Sequence, residues 1–103
     1  MLDFLKQLFG FGPKVDIAAL LKNGATVIDV RTKGEYAGGH VKGSVNIPLD
    51  QIGKHIEKLK KQQPIITCCA SGMRSGSAAS MLRSKGVEAY NGGSWVNVRS
   101  EMQ

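Results

Sequence analysis

Apolar positions along this chain alternate between helical spacing and short β-branched runs. Ile17, Leu20 and Leu21 sit at helical spacing behind Asp16, a residue suited to cap a helix, and Gly24 stands where that helix should stop. Thr26-Val27-Ile28-Asp29-Val30 reads as a strand buried on both faces. Thr32 followed by Glu35 has the spacing of a capping box and opens a short helical turn that ends at Gly38-Gly39. Val41 to Ile47 reads as a further extended segment closed by Pro48. Ile52, Ile56 and Leu59 return to helical spacing, with lysines on the opposite face. Pro64-Ile65-Ile66-Thr67-Cys68 is the next strand, followed by a small-residue loop from Cys69 to Arg74. Ser75 then starts a helix carrying Ala78, Ala79 and Leu82 inward and ending near Gly86. Val87 to Tyr90 is the last predicted strand, before Asn91-Gly92-Gly93-Ser94-Trp95. Strand and helix alternate throughout. The expected fold class is therefore α/β, a small central parallel sheet of four to five strands with helices on both faces.

The first twelve residues stand apart from this pattern. Leu2, Leu5 and Phe9 share one helical face, Lys6 and Gln7 interrupt it, and Gly10 and Gly12 break it. Residues 1–12 are read as an amphipathic N-terminal extension and 13–103 as the domain proper. The extension makes a poor secretory signal, because no small-residue cleavage site follows it. It is expected to be a short helix packed on the domain or frayed at the terminus, with a membrane-surface or partner-binding anchor as the alternative.

A length of 103 residues leaves room for one core. With 42% hydrophobic and 21% charged residues the chain is globular, and no apolar run approaches a membrane span. The net charge of +6 says little about partners. Only Lys54, Lys58, Lys60 and Lys61 cluster, on one predicted helix, and no aromatics interleave them to stack on bases. A solvated helix face is the reading, and no nucleic-acid partner is expected.

Cys68 and Cys69 are the only cysteines, and a neighbouring pair closes no useful loop. With His40 and His55 distant in sequence they match no zinc spacing, so no metal is expected. That leaves packing or thiol chemistry, and a reducing, cytoplasmic setting.

Position favours chemistry at Cys69. Open parallel sheets bind ligands beyond the carboxyl ends of their strands, and the Cys69 loop lies there. A following helix N-terminus, backbone amides around Ser71 and Gly72, and the cation of Arg74 would each favour a thiolate. Cys69 is therefore the candidate nucleophile, in a cradle that also suits an oxyanion. Cys68 continues the apolar strand and reads as packing.

The loop Cys69-Ala70-Ser71-Gly72-Met73-Arg74-Ser75 resembles the active-site loop of rhodanese-family sulfurtransferases. Ile28-Asp29-Val30-Arg31, Glu35-Tyr36 and Gly39-His40-Val41-Lys42-Gly43-Ser44-Val45-Asn46-Ile47-Pro48 resemble the family's amino-terminal signature. Asn91-Gly92-Gly93-Ser94-Trp95 resembles its carboxyl-terminal one. The resemblance runs from about Val15 to Trp95. It implies that Cys69 takes the outer sulfur of thiosulfate or a persulfide and passes it to cyanide or a thiol, with no organic cofactor. Small-molecule donors and acceptors are implied as partners, and a protein persulfide is a further candidate. Arg74 is assigned both donor binding and loop shaping, Arg31 a place in the anion pocket, and His40 a structural role. Asp29 is expected to tie loops together, Glu35 to pair with a cation or cap the turn, and Trp95 to be lid or core.

This loop departs from some family members, which carry a cation directly after the cysteine or one residue later. Here those positions hold Ala70 and Ser71, which disfavours a dianionic donor such as thiosulfate. Cys68 is not expected to accept the sulfur, because neighbouring strand residues face opposite ways. Two alternatives remain. Counted from Cys68, five residues precede Arg74, the spacing of cysteine phosphatases and arsenate reductases, although Thr67 stands where those enzymes usually have His. The other is a rhodanese-like module that binds without catalysis.

Overall fold

A computed structural model describes residues 15–102, so the expected N-terminal extension lies outside the described residues. Asp16 caps the first described helix, α1 (Ile17–Lys22), accepting from Ala19 N–H at 3.1 Å. Strand β1 (Thr26–Asp29) leads to α2 (Lys33–Ala37), where Thr32 and Glu35 form the expected capping box. Strand β2 (Val45–Asn46) is followed by a 3₁₀ helix (Leu49–His55) that runs into α3 (Ile56–Lys60). Strand β3 (Ile65–Cys69) precedes α4 (Met73–Ser84), and β4 (Ala89–Ser94) precedes α5 (Trp95–Glu101).

The four strands form one parallel sheet in the order β2-β1-β3-β4, with β3 central and wholly buried. Each face carries its own core. On one, Ile28, Ile65, Cys69 and Ala89 pack with Ile52, Leu59, Ala78, Ala79 and Leu82 from the 3₁₀ helix, α3 and α4. On the other, Val27, Ile66 and Cys68 pack with Val98 and the half-buried Ile17, Leu20 and Leu21 of α5 and α1. Parallel strands need crossovers, and crossover helices cover both faces.

Several boundaries differ from the sequence reading. The segment after Val41 is a turn: Ser44 donates its N–H and its hydroxyl to Val41 O at 3.0 and 2.6 Å. Only Val45 and Asn46 pair with β1. Helix α4 starts at Met73, not Ser75, because Gly72 takes the cap position with φ +104°. Strand β4 runs on through Gly92 and Gly93 instead of stopping at Tyr90, and its register with β3 shifts between Thr67 and Cys69. A Cβ on Gly92 would sit 2.6 Å from Val98 Cγ2 and 2.7 Å from Ile66 Cγ2, so only glycine fits there. Helix α5 was not expected. Its signal is Ser94, whose hydroxyl accepts from Asn97 N–H at 3.0 Å.

Candidate active site

Cys69 ends β3 at the carboxyl edge of the sheet, and the turn into α4 closes around its sulfur. Gly72 N–H donates to Sγ at 3.0 Å and Ser75 N–H at 3.4 Å, with Ser75 Oγ at 3.3 Å. Burial pushes the Cys69 thiol up. The Ser75 hydroxyl and the amides of Ser75, Gly72 and Ser71 outweigh it, and the net shift is downward. The sulfur is closed to solvent, while Ala70, Ser71 and Met73 are exposed above it.

The loop is pinned from below. Thr67, two residues back on β3, donates its hydroxyl to Ser75 O at 2.7 Å. Asn91 on β4 donates to Gly72 O at 2.9 Å and accepts from Ser75 Oγ at 2.7 Å. Thr67 and Asn91 were not among the expected site residues. The cue for Asn91 was its place at the head of the Asn91–Trp95 stretch singled out in the sequence.

Arg74 does not stand open as a cation. It makes a bidentate pair with Glu35 at 2.7 and 2.9 Å, joining α4 to α2. The Arg74 guanidinium, with the Thr32 backbone N–H assisting, holds the Glu35 carboxyl at about 2. Glu35 thus does both things expected of it: it caps its own helix and pairs a cation.

Arg31 departs from its expected place in an anion pocket. It is 4% exposed, and Nε and Nη2 donate to Asp29 at 2.8 to 3.0 Å. Nη2 also donates to Gly39 O at 2.6 Å and Nη1 to Glu35 O at 3.2 Å. A fully buried carboxylate draws the guanidinium inward, and together they brace the turn after β1. Trp95 belongs to this brace, its ring between Arg31 at 4.9 Å and Arg99 at 4.8 Å. His40 stacks on Tyr36 at 3.8 Å and its Nδ1 meets Tyr36 O at 2.8 Å.

Cys68 lies on the far face. Burial and the nearby Asp29 carboxylate push its thiol up to about 12, with Arg31 offsetting only part. The loop amides converge on the other sulfur. The phosphatase-type spacing counted from Cys68 therefore does not correspond to a cradle around that atom. A groove of about 560 Å³ lies apart from both cysteines, lined by Lys33, Val45, Pro48, Asp50, His55 and Lys58 among others. Among the described residues no cluster of three or more His, Cys, Asp or Glu is placed to hold a metal. Nor is any described helix long and apolar enough to cross a membrane.

The family model of the rhodanese-like domain matches residues 14–99. The chain belongs to the rhodanese-like family. Thiosulfate sulfurtransferase GlpE of Pseudomonas fluorescens is 34% identical over 84 residues, covering 79% of this chain and 77% of its own. The uncharacterized protein YqhL of Bacillus subtilis is 41% identical over 68 residues, 65% of this chain. The rhodanese-like match spans about half of YqhL, 54% of its length. Among solved structures, reduced Bacillus anthracis CoADR-RHD superposes with a TM-score of 0.75 at 33% identity, over 93% of this chain and 18% of that one.

Proposed function

We propose that this rhodanese-like protein is a sulfurtransferase that carries sulfane sulfur on Cys69. The observation behind the reading is the pair of backbone amides that donate to Cys69 Sγ at 3.0 and 3.4 Å, with the Ser75 hydroxyl beside it at 3.3 Å. Such donors stabilise a thiolate, and they stabilise the anionic persulfide that replaces it.

In the first step Cys69 thiolate attacks the outer sulfur of the donor. A new Sγ–S bond forms and the donor's S–S bond breaks. Its electron pair leaves with sulfite when the donor is thiosulfate, or with a thiolate when it is a persulfide. In the second step a thiol or cyanide attacks the outer sulfur, and Cys69 departs again as thiolate. No net oxidation is needed. Cys69 is closed to solvent beneath Ala70 and Ser71, so this reading requires that segment to give way to the donor.

The donor of choice is a persulfide, of a small molecule or of a protein, ahead of thiosulfate. Ala70 and Ser71 supply no cation, and the charge of Arg74 is already matched by Glu35. GlpE carries thiosulfate in its name, and thiosulfate serves here as the slower donor. A reducing compartment such as the cytoplasm keeps Cys69 available as the free thiol.

The test is thiocyanate formation from cyanide with thiosulfate or a low-molecular-weight persulfide as donor. Turnover in the wild type, faster with the persulfide and absent in Cys69→Ser, is the expected result. Turnover with neither donor would favour a binding module and overturn the proposal.

A further inference from the structure

We propose that Asn91 is a positioning residue for Cys69, holding the Gly72 turn so that its amide stays on the sulfur. Its purpose, readying Cys69 for sulfur transfer, rests on the functional reading above; its geometry does not.

Asn91 is exposed, and an exposed amide ordinarily binds water. This one is committed to the loop. Nδ2 donates to Gly72 O at 2.9 Å, and Oδ1 accepts from Gly93 N–H at 2.9 Å and from Ser75 Oγ at 2.7 Å. Space has been left for it: a Cβ on Gly76 of α4 would meet Nδ2 at 3.2 Å. The amide can point only one way. Gly93 N–H can only donate and Gly72 C=O can only accept, so Oδ1 faces Ser75.

That orientation fixes how the Ser75 proton is shared. A hydroxyl has one proton and two lone pairs. While Cys69 is a thiol, S–H donates to Ser75 Oγ and the hydroxyl donates to Asn91 Oδ1. When the thiol loses its proton to a buffer base, the hydroxyl proton turns from Asn91 to the sulfur. Oδ1 keeps the Gly93 N–H, so it is not left without a partner. In the thiolate state the Ser75 hydroxyl no longer donates to Oδ1, so the hold that persists in both states is the bond from Nδ2 to Gly72 O. Through Gly72 O, Asn91 anchors the residue whose own N–H lies 3.0 Å from the sulfur.

The charged and titratable groups around this centre are few. Arg74 of α4 is paired with Glu35 of α2, and Cys68 shares the strand, with Asp29 and Arg31 of the β1 end on its side. None of them bonds to Asn91, so a change at Asn91 acts through the loop.

The test is the pH profile of Cys69 alkylation by iodoacetamide, read by fragment mass mapping, on the full chain. Asn91→Ala should raise the midpoint by about half a pH unit or more, and by at least as much in a Ser75→Ala background, because the route through Gly72 does not need the hydroxyl. Asn91→Asp keeps both acceptor contacts but loses the donor to Gly72 and adds charge; its midpoint should also rise. It serves as the second variant should Asn91→Ala not fold. A midpoint equal to wild type in a folded variant, or a rise that vanishes in the Ser75→Ala background, would overturn the proposal. Alkylation reports the thiol itself, so a shifted midpoint in a protein that transfers no sulfur would defeat the functional reading and leave this one standing.

Discussion

Cys68 and Cys69 are neighbours in the chain, yet their sulfurs lie in different cores on opposite faces of the sheet. One strand step separates a thiol held up at about 12 from one drawn below its ordinary value. Both side chains are closed to solvent, and burial raises both thiols. What differs is the partner set: Cys69 meets the amides of the turn into α4, and Cys68 meets packing and the Asp29 carboxylate.

This asymmetry predicts selective labelling. Iodoacetamide at about pH 8, near the ordinary cysteine range, should modify Cys69 and leave Cys68 untouched in the native protein. In denaturant both should react. Fragment mass spectrometry reads the site directly, and equal native labelling of the two would contradict the geometry.

The Glu35–Arg74 pair predicts a trade between donors. Glu35→Gln releases a guanidinium at the loop, so the KM for thiosulfate should fall by roughly two- to fivefold, the scale of one exposed charge contact. The KM for an uncharged or singly charged persulfide should move less. Steady-state kinetics with both donors would show it, and equal shifts would argue that Arg74 does not face the donor.

The same pair carries a pH signature. The folded-state carboxyl of Glu35 is lowered from 4.5 to about 2. Its contribution to stability is therefore complete above the ordinary carboxylate range and is lost as pH falls through about 2. Wild type should be more stable than Glu35→Gln near neutral pH, and the gap should close on acidification. Thermal melts across that range check the sign.

How far the sequence reaches depends on whether the partner is near in the chain. The Asp16 cap and the Thr32–Glu35 capping box join residues three apart, and both form as expected. The Cys69–Ser75 turn is also local, and its composition alone marks it. The Glu35–Arg74 pair spans 39 residues and the Asn91–Gly72 bond 19. Sheet order brings those residues together, and no spacing rule encodes it. Arg31 misled for a related reason: a cation near a strand end reads as an anion site until the buried Asp29 beside it is seen to hold it. Helix α5 did carry a local cue, the Ser94 cap, masked by the two glycines before it.

Asp29 and Arg31 predict a stability effect away from the chemistry. Asp29→Ala would leave a buried guanidinium without its carboxylate, at a cost of about 3–5 kcal/mol. Urea denaturation should show that loss, and a change within error of zero would mean Arg31 escapes to solvent.

Gly72 predicts an effect on both counts. Its φ of +104° disfavours any side chain, and a Cβ would press on Gly93 Cα at 3.3 Å. Gly72→Ala should cost about 1–2 kcal/mol and raise the Cys69 alkylation midpoint, because its N–H leaves the sulfur. An unchanged midpoint would mean that Ser75 and Ser71 suffice.

The most direct test of the account is intact-protein mass after brief exposure to thiosulfate or a persulfide, without reductant. Wild type and Cys68→Ser should each gain one sulfur atom that cyanide removes, and Cys69→Ser should gain none. A removable sulfur on Cys69→Ser, or its loss in Cys68→Ser, would contradict Cys69 as the carrier.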